Sequence, residues 1–193
     1  MKIALVAVNG SYSHTNLAIR CLRPGLESKG FSVVLTEYQL RDRTGHILND
    51  LYQQNADIYG FSVYIWNLDV IIELSRELKK LKPHIHILWG GPEVSFETNR
   101  FDTFSFVDTI ICGEGEKAIV DICSSIEESK PFPRIIHGTP SQNVMKDEGI
   151  LYRDGENAKS NLFYYESSRG CPFQCAYCLS SVTEGVRMKP VSQ

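Results

Sequence analysis

Three cysteines, Cys171, Cys175 and Cys178, fall within the segment SSRGCPFQCAYCLSS that runs from Ser167 to Ser181. Thiolates so closely spaced are metal-binding or redox groups, and counting ligands separates the possibilities. A structural zinc site takes four ligands in a closed tetrahedron, usually as two close pairs. The sequence holds no second pair, and Cys112 or His137 would have to be recruited from far along the chain. A redox CxxC pair, Cys175 with Cys178, would open a helix in a thioredoxin-like unit, a pattern that the flanking residues lack. Three thiolates on a 4Fe-4S cluster leave one iron without a protein ligand, open to a small molecule. Gly170 and Pro172 flank the first cysteine and read as the turn that lets the sulfurs converge.

The remaining cysteines read differently. Cys21 and Cys123 fall on apolar helical faces and Cys112 ends an apolar strand, so all three are expected in the core. The longest apolar run near the start, Ile3 to Val8, is too short for a membrane span and lacks the charged lead and cleavage site of a signal peptide. A cytoplasmic setting without membrane contact is expected, with free or metal-bound thiols rather than disulfides. Twenty Lys and Arg against 23 Asp and Glu give a net charge of −3 and no reason to expect nucleic acid. Lys79, Lys80 and Lys82 end a predicted helix, where cations complement the exposed carbonyls.

Apolar, β-branched runs begin near residues 2, 32, 57, 84 and 108. Their spacing of about 25 residues suits βα units, because parallel strands are joined by a crossover, normally a helix. Several runs are apolar on both faces and belong in a sheet covered on both sides. Ile71, Leu74, Leu78 and Leu81 form one helical stripe and Ala118, Ile119, Ile122, Cys123 and Ile126 another. A shorter helix is expected around Ile47, Leu48 and Leu51, and one from about Asn16 to Lys29 that Pro24-Gly25 should kink or interrupt. Residues 1–129 thus read as an α/β domain with a five-stranded doubly wound parallel sheet. Two prolines in SKPFPR end it; residues 130–161 read as a linker with short strands, and NLFYYESS as a new strand leading into the cysteines.

Ligands of such sheets bind beyond the carboxyl ends of the strands. The loops there are NGSYSHTN, SVYIWN, WGGPEVS and CGEGE, three of them rich in glycine or small polar residues, which let the backbone approach a ligand closely. Nothing after the first strand matches G-x-G-x-x-G, which disfavours NAD.

This arrangement resembles the cobalamin-binding domain, a flavodoxin-like module, most specifically in NGSYSHTNLA, the serine of GFSV, WGGPEVS and ICGEGE. The resemblance implies cobalamin contacts from Asn9, Ser11, Tyr12, His14, Asn16, Ser62, Gly90, Gly91, Gly113, Glu114 and Gly115. Many members carry D-x-H-x-x-G after the first strand, with the histidine on cobalt. Here Tyr12 stands at the aspartate position and Leu17 at the glycine position. Without the carboxylate that would orient its imidazole, His14 is expected as a polar contact on the lower corrin face rather than as the axial ligand. His46, His84, His86 and His137 are expected to be structural.

The segment YYESSRGCPFQCAYCLSS, with Tyr177 before the last cysteine, resembles the cluster loop of radical S-adenosylmethionine enzymes. That resemblance implies a 4Fe-4S cluster on Cys171, Cys175 and Cys178, with S-adenosylmethionine chelating the open iron. It implies a methyltransferase or Fe-S oxidoreductase acting by a 5′-deoxyadenosyl radical, with cobalamin commonly delivering a methyl group and in some members serving ring formation or rearrangement, and an electron donor such as flavodoxin or ferredoxin. Residues 162–193 cover only the first strand and cluster loop of the expected barrel, so the chain reads as an N-terminal fragment, inactive alone. A non-radical corrinoid carrier and a flavodoxin-like sensor with a metal-binding tail are the rival readings. The sequence does not indicate a substrate.

Overall fold

A computed structural model describes residues 1–11, 14–140, 151–153, 164–182 and 185–189. Six strands form one sheet: β1 (Lys2–Asn9), β2 (Ser32–Gln39), β3 (Ile58–Ser62), β4 (His86–Gly90), β5 (Thr109–Gly113) and β6 (Ile135–Gly138). Their order is β2-β1-β3-β4-β5-β6, and every neighbouring pair is parallel. The crossovers are α1 (Leu17–Ser28), α2 (Thr44–Gln54), α3 (Leu68–Leu81) and α4 (Glu116–Glu127).

Strand side chains alternate between the two faces, which places two apolar layers back to back. Ile3, Leu5, Ile58 and Leu88 pack with Ile19 and Leu26 of α1 and Ile119 and Ile122 of α4. Ala4, Val6, Tyr59 and Trp89 pack on the opposite face with Ile47 and Leu51 of α2 and Ile71 and Leu74 of α3. Burying one such aliphatic side chain contributes about 1.5–3 kcal/mol. The polar ends of the two large aromatics in this layer are satisfied: Trp89 donates to Ser75 Oγ at 2.9 Å, and Tyr59 donates to the Leu51 carbonyl at 2.7 Å. Cys21, Cys112 and Cys123 are all buried, as expected.

Three features differ from the sequence expectations. The sheet has six strands, not five, because Ile135–Gly138, beyond the expected boundary at residue 129, pairs with β5. Four residues after two prolines are too few to show a strand period, but Arg134 ties the segment down by donating to the Phe101 and Phe104 carbonyls at 2.9 and 3.1 Å. Second, α1 runs unbroken through Pro24. Proline removes one backbone donor, but Ile19 and Leu26 anchor the helix in the core on either side of it. Gly25 lies so close to α4 that a β-carbon there would come within 3.2 Å of Val120. Third, Tyr164–Ser167 form no strand; the strand is β7 (Ser168–Gly170), which pairs antiparallel with β8 (Val186–Met188). Residues 161–163 of the expected strand lie outside the described residues.

Candidate functional site

The loops after β1, β3, β4 and β5 meet at the carboxyl edge of the sheet. The first is organised by Glu37, reaching over from β2. Its Oε2 accepts from the Asn9 side-chain amide at 2.8 Å and from the Asn16 backbone N–H at 2.7 Å, while Oε1 accepts from Arg20 at 2.6 Å. Asn9 also donates to the His14 carbonyl at 3.0 Å. Asn16 caps α1 by accepting from the Ile19 N–H at 3.1 Å, the favoured chemistry at a helix start. Its amide nitrogen donates to Ser62 Oγ at 3.3 Å, linking the loop to β3. Asn67 fixes the loop after β3: it donates to the Val8 and Ser62 carbonyls, each at 3.0 Å, and accepts from the Tyr64 N–H at 2.8 Å.

The structure therefore gathers Asn9, Asn16 and Ser62 into one network. His14 sits exposed at its rim, its N–H donating to the Ser11 carbonyl at 3.2 Å and its ring edge-on to Tyr164 at 6.0 Å. Tyr164 is held by Tyr152, whose hydroxyl donates to the Tyr164 carbonyl at 2.8 Å and accepts from its N–H at 2.9 Å. Thr15, next to His14, keeps a buried hydroxyl with no protein partner. Tyr12 lies outside the described residues.

Beside this network a cavity of about 480 Å³ runs from the edge loops down between α1, α4 and the sheet. Its interior is apolar, with Leu5, Leu88, Ile111 and Ile119 among its walls, and Gly60 opens it because a side chain there would meet Leu5. Ser62, Gly90, Gly91, Gly113, Glu114 and Gly115 all line it. Gly91 is required by the chain's own packing: φ is 121°, and a β-carbon would lie 2.4 Å from the Val63 carbonyl oxygen.

Sequence reasoning missed three contributors. Glu37 and Arg20 carry no motif; an acidic residue in an edge strand is ordinary. The loop after β3 presents Tyr64 stacked on Trp66 at 4.4 Å, with Trp66 half-exposed beside Gly10 and Ile65 exposed. Ile65 and Trp66, two large apolar residues side by side in a loop, are the available signal. Glu166, Arg169, Leu179 and Ser180, from the cysteine-bearing segment, also line the cavity.

Cys171, Cys175 and Cys178 are half-buried, and the Cys178 N–H donates to the Cys175 carbonyl at 3.1 Å. Among the described residues no three His, Cys, Asp or Glu side chains are gathered closely enough to hold a metal ion. The donor set suits a cluster with one open iron, but the sulfurs do not converge. The core cysteines are a different population: burial, then the Glu127 charge, pushes Cys123 up to about 12, and burial raises Cys112 as well. They are inert thiols.

An open parallel sheet with a cavity at its carboxyl edge, reached through glycine-rich loops, defines a flavodoxin-like ligand-binding module. The chain belongs to the B12 binding domain family, whose model matches residues 3–123. It is 26% identical over 153 residues to the cobalamin-dependent radical SAM methyltransferase TokK of Streptomyces tokunonensis, covering 63% of this chain and 22% of that protein. It is 26% identical over 149 residues to the 2-(S-pantetheinyl)-carbapenam-3-carboxylate methyltransferase of Streptantibioticus cattleyicolor, covering 64% and 22%. The chain thus spans about a fifth of the length of these curated relatives. Its fold matches the structure of the cobalamin-dependent S-adenosylmethionine radical enzyme OxsB with aqua-cobalamin and S-adenosylmethionine, with a TM-score of 0.69 at 17% identity over 97% of this chain and 29% of that one. No helix among the described residues is long and apolar enough to cross a membrane.

Proposed function

We propose that this chain is the cobalamin-binding part of a radical S-adenosylmethionine methyltransferase. The observation that carries the reading is the apolar cavity between α1, α4 and the sheet, opening onto polar loops. Cobalamin is a broad ring fringed with amides and bearing a nucleotide tail that ends in an aromatic base. The whole molecule is far larger than the cavity, so the apolar base suits the interior while the ring lies across the edge loops. Asn9, Ser11, Tyr12, His14, Asn16 and the unpartnered Thr15 hydroxyl supply polar groups for the ring and its amides. The Tyr64–Trp66 stack supplies an apolar shelf beside them.

Cys171, Cys175 and Cys178 would hold a 4Fe-4S cluster, which requires their loop to close around it. When bound, the cluster and S-adenosylmethionine supply a 5′-deoxyadenosyl radical, and cobalamin supplies the methyl group. This chain's residues bind and orient these groups, and the apolar cavity excludes water. The whole enzyme would draw electrons from a flavodoxin or ferredoxin.

Hydroxocobalamin added to the purified chain is expected to stay with it through gel filtration; passage of all the corrinoid in the small-molecule fraction overturns the reading. The family match, which ends at residue 123 and so stops short of the cysteines, leaves room for one second reading, a corrinoid carrier without radical chemistry. Anaerobic reconstitution of a longer version that extends past the cluster loop separates the two. About four iron and four sulfide per chain, lost when any of the three cysteines becomes alanine, support the radical enzyme; cobalamin binding without iron supports the carrier.

A further inference from the structure

Cys171 directly follows the β7–β8 ladder, which lies apart from the parallel sheet. In its register Arg169 faces Arg187. Like charges directly opposite on a ladder repel, and a two-stranded hairpin is marginal on its own in water. The hairpin therefore depends on something outside itself.

What it depends on is the loop leading from β5 into α4. Arg169 lies 2.7 Å from Glu116 Oε1 and 3.3 Å from Glu114 Oε2. Arg187 pairs with Glu114 as well, one nitrogen 3.2 Å from Oε2. Glu166 completes the set by accepting from Arg169 at 3.0 and 2.6 Å. Three carboxylates thus surround two guanidiniums. All are largely withdrawn from water, with side-chain exposures of 18% for Arg169, 17% for Arg187, 15% for Glu114 and 14% for Glu116. Ion pairs this sheltered are screened far less than surface pairs. Burial alone would lower the Arg169 pKa, but the Glu166 hydrogen bonds and the Glu116 charge outweigh it and raise it.

We propose that Glu114 and Glu116 are positioning residues for the cysteine-bearing segment: through Arg169 and Arg187 they dock the β7–β8 hairpin and fix where Cys171 leaves the sheet's carboxyl edge. Glu114, Glu116 and Arg169 also line the cavity, so one charge cluster both closes its rim and sets the start of the cysteine loop. The inference rests on the proposed function only for what the cysteines hold.

Hydrogen–deuterium exchange on the full chain tests it, with variants from both sides of the clasp: Glu114→Gln with Glu116→Gln, and Arg169→Gln with Arg187→Gln. In both double variants the amides of residues 168–170 and 186–188 are expected to exchange roughly tenfold faster or more, while β1 and β3 keep wild-type protection. Arg169→Lys, which keeps the charge without the forked geometry, is expected to restore part of the protection. Unchanged hairpin exchange in either double variant overturns the proposal. So does an acceleration from the arginine side that spreads equally through β1 and β3, because the cluster would then support the whole domain rather than place the segment. Corrinoid retention by the wild-type chain is measured separately; its failure sinks the functional reading and leaves the exchange data to judge the docking.

Discussion

Replacing Glu37 with glutamine probes the network beneath the His14 loop most directly. The carboxylate accepts from Arg20, Asn9 and Asn16 at 2.6–2.8 Å, and the Arg20 and Glu37 side chains are only 5% and 19% exposed. Glutamine keeps one acceptor oxygen and turns an NH₂ group toward existing donors. Removing one partner of a buried pair costs about 3–5 kcal/mol. Glu37 keeps some solvent and Arg20 retains the Tyr152 ring at 4.9 Å, so the lower end, about 3 kcal/mol, applies. At about 2–4 °C per kcal/mol for a chain of this size, the melting midpoint should fall by about 6–12 °C. Asn16 and Asn9 lose their shared anchor, so hydroxocobalamin should bind about tenfold more weakly, equivalent to about 1.4 kcal/mol. Circular dichroism melts and equilibrium titration of the corrinoid spectrum measure the two effects, and a double-mutant cycle with Arg20→Met isolates the pair. A Glu37→Gln chain that melts within about 1 °C of wild type and binds cobalamin equally well would refute the assignment of Glu37 as the anchor of this loop.

Gly91→Ala places a β-carbon 2.4 Å from the Val63 carbonyl at a φ of 121°; a loss of about 2–4 kcal/mol in a denaturant melt is expected, with weakened cobalamin retention. At pH 8 under reducing conditions, iodoacetamide should modify Cys171, Cys175 and Cys178 while Cys21, Cys112 and Cys123 stay protected in the folded chain, as read by peptide mass mapping. Burial, partly countered by Asp108 and reinforced by Lys79, lowers the His86 pKa from its ordinary value of 6.5. The unfolded chain therefore binds this proton first, so the contribution is intact above pH 6.5 and fades as the pH falls toward the folded value. Replacing His86 by glutamine should flatten the decline in melting temperature between pH 6.5 and 5, and an unchanged slope would count against it.

The parts of the fold legible in the sequence are those where local pattern and burial agree. β1, β3, β4 and β5 are apolar on both faces because helices cover both sides, and the stripes of α3 and α4 are packed into the core except at Leu81, which the last turn of α3 leaves 53% exposed. β6 is hidden because its four residues are too few to show a strand period, and Arg134, which ties the segment to the Phe101–Phe104 turn, lies outside the strand. Pro24 misled because the packing of α1 overrides the loss of one backbone donor. In the site, the loops and their glycines could be read from composition and position. The charges that organise them could not, since Glu37 meets Arg20 and Asn16 across a crossover, and Arg169 meets Glu114 and Glu116 only after the chain returns to the same edge. Pairings of that kind leave no local periodicity.

The late strand β6 has a consequence for any shortened version of this protein. It covers the outer side of β5, where Ile110 and Ile111 pair with Ile135 and Ile136. A chain ended after α4 would leave that row of backbone donors and acceptors bare beside apolar side chains, a ready template for another molecule's strand. Such a truncation should self-associate with rising concentration, whereas one that keeps Gly138 should sediment as a single species.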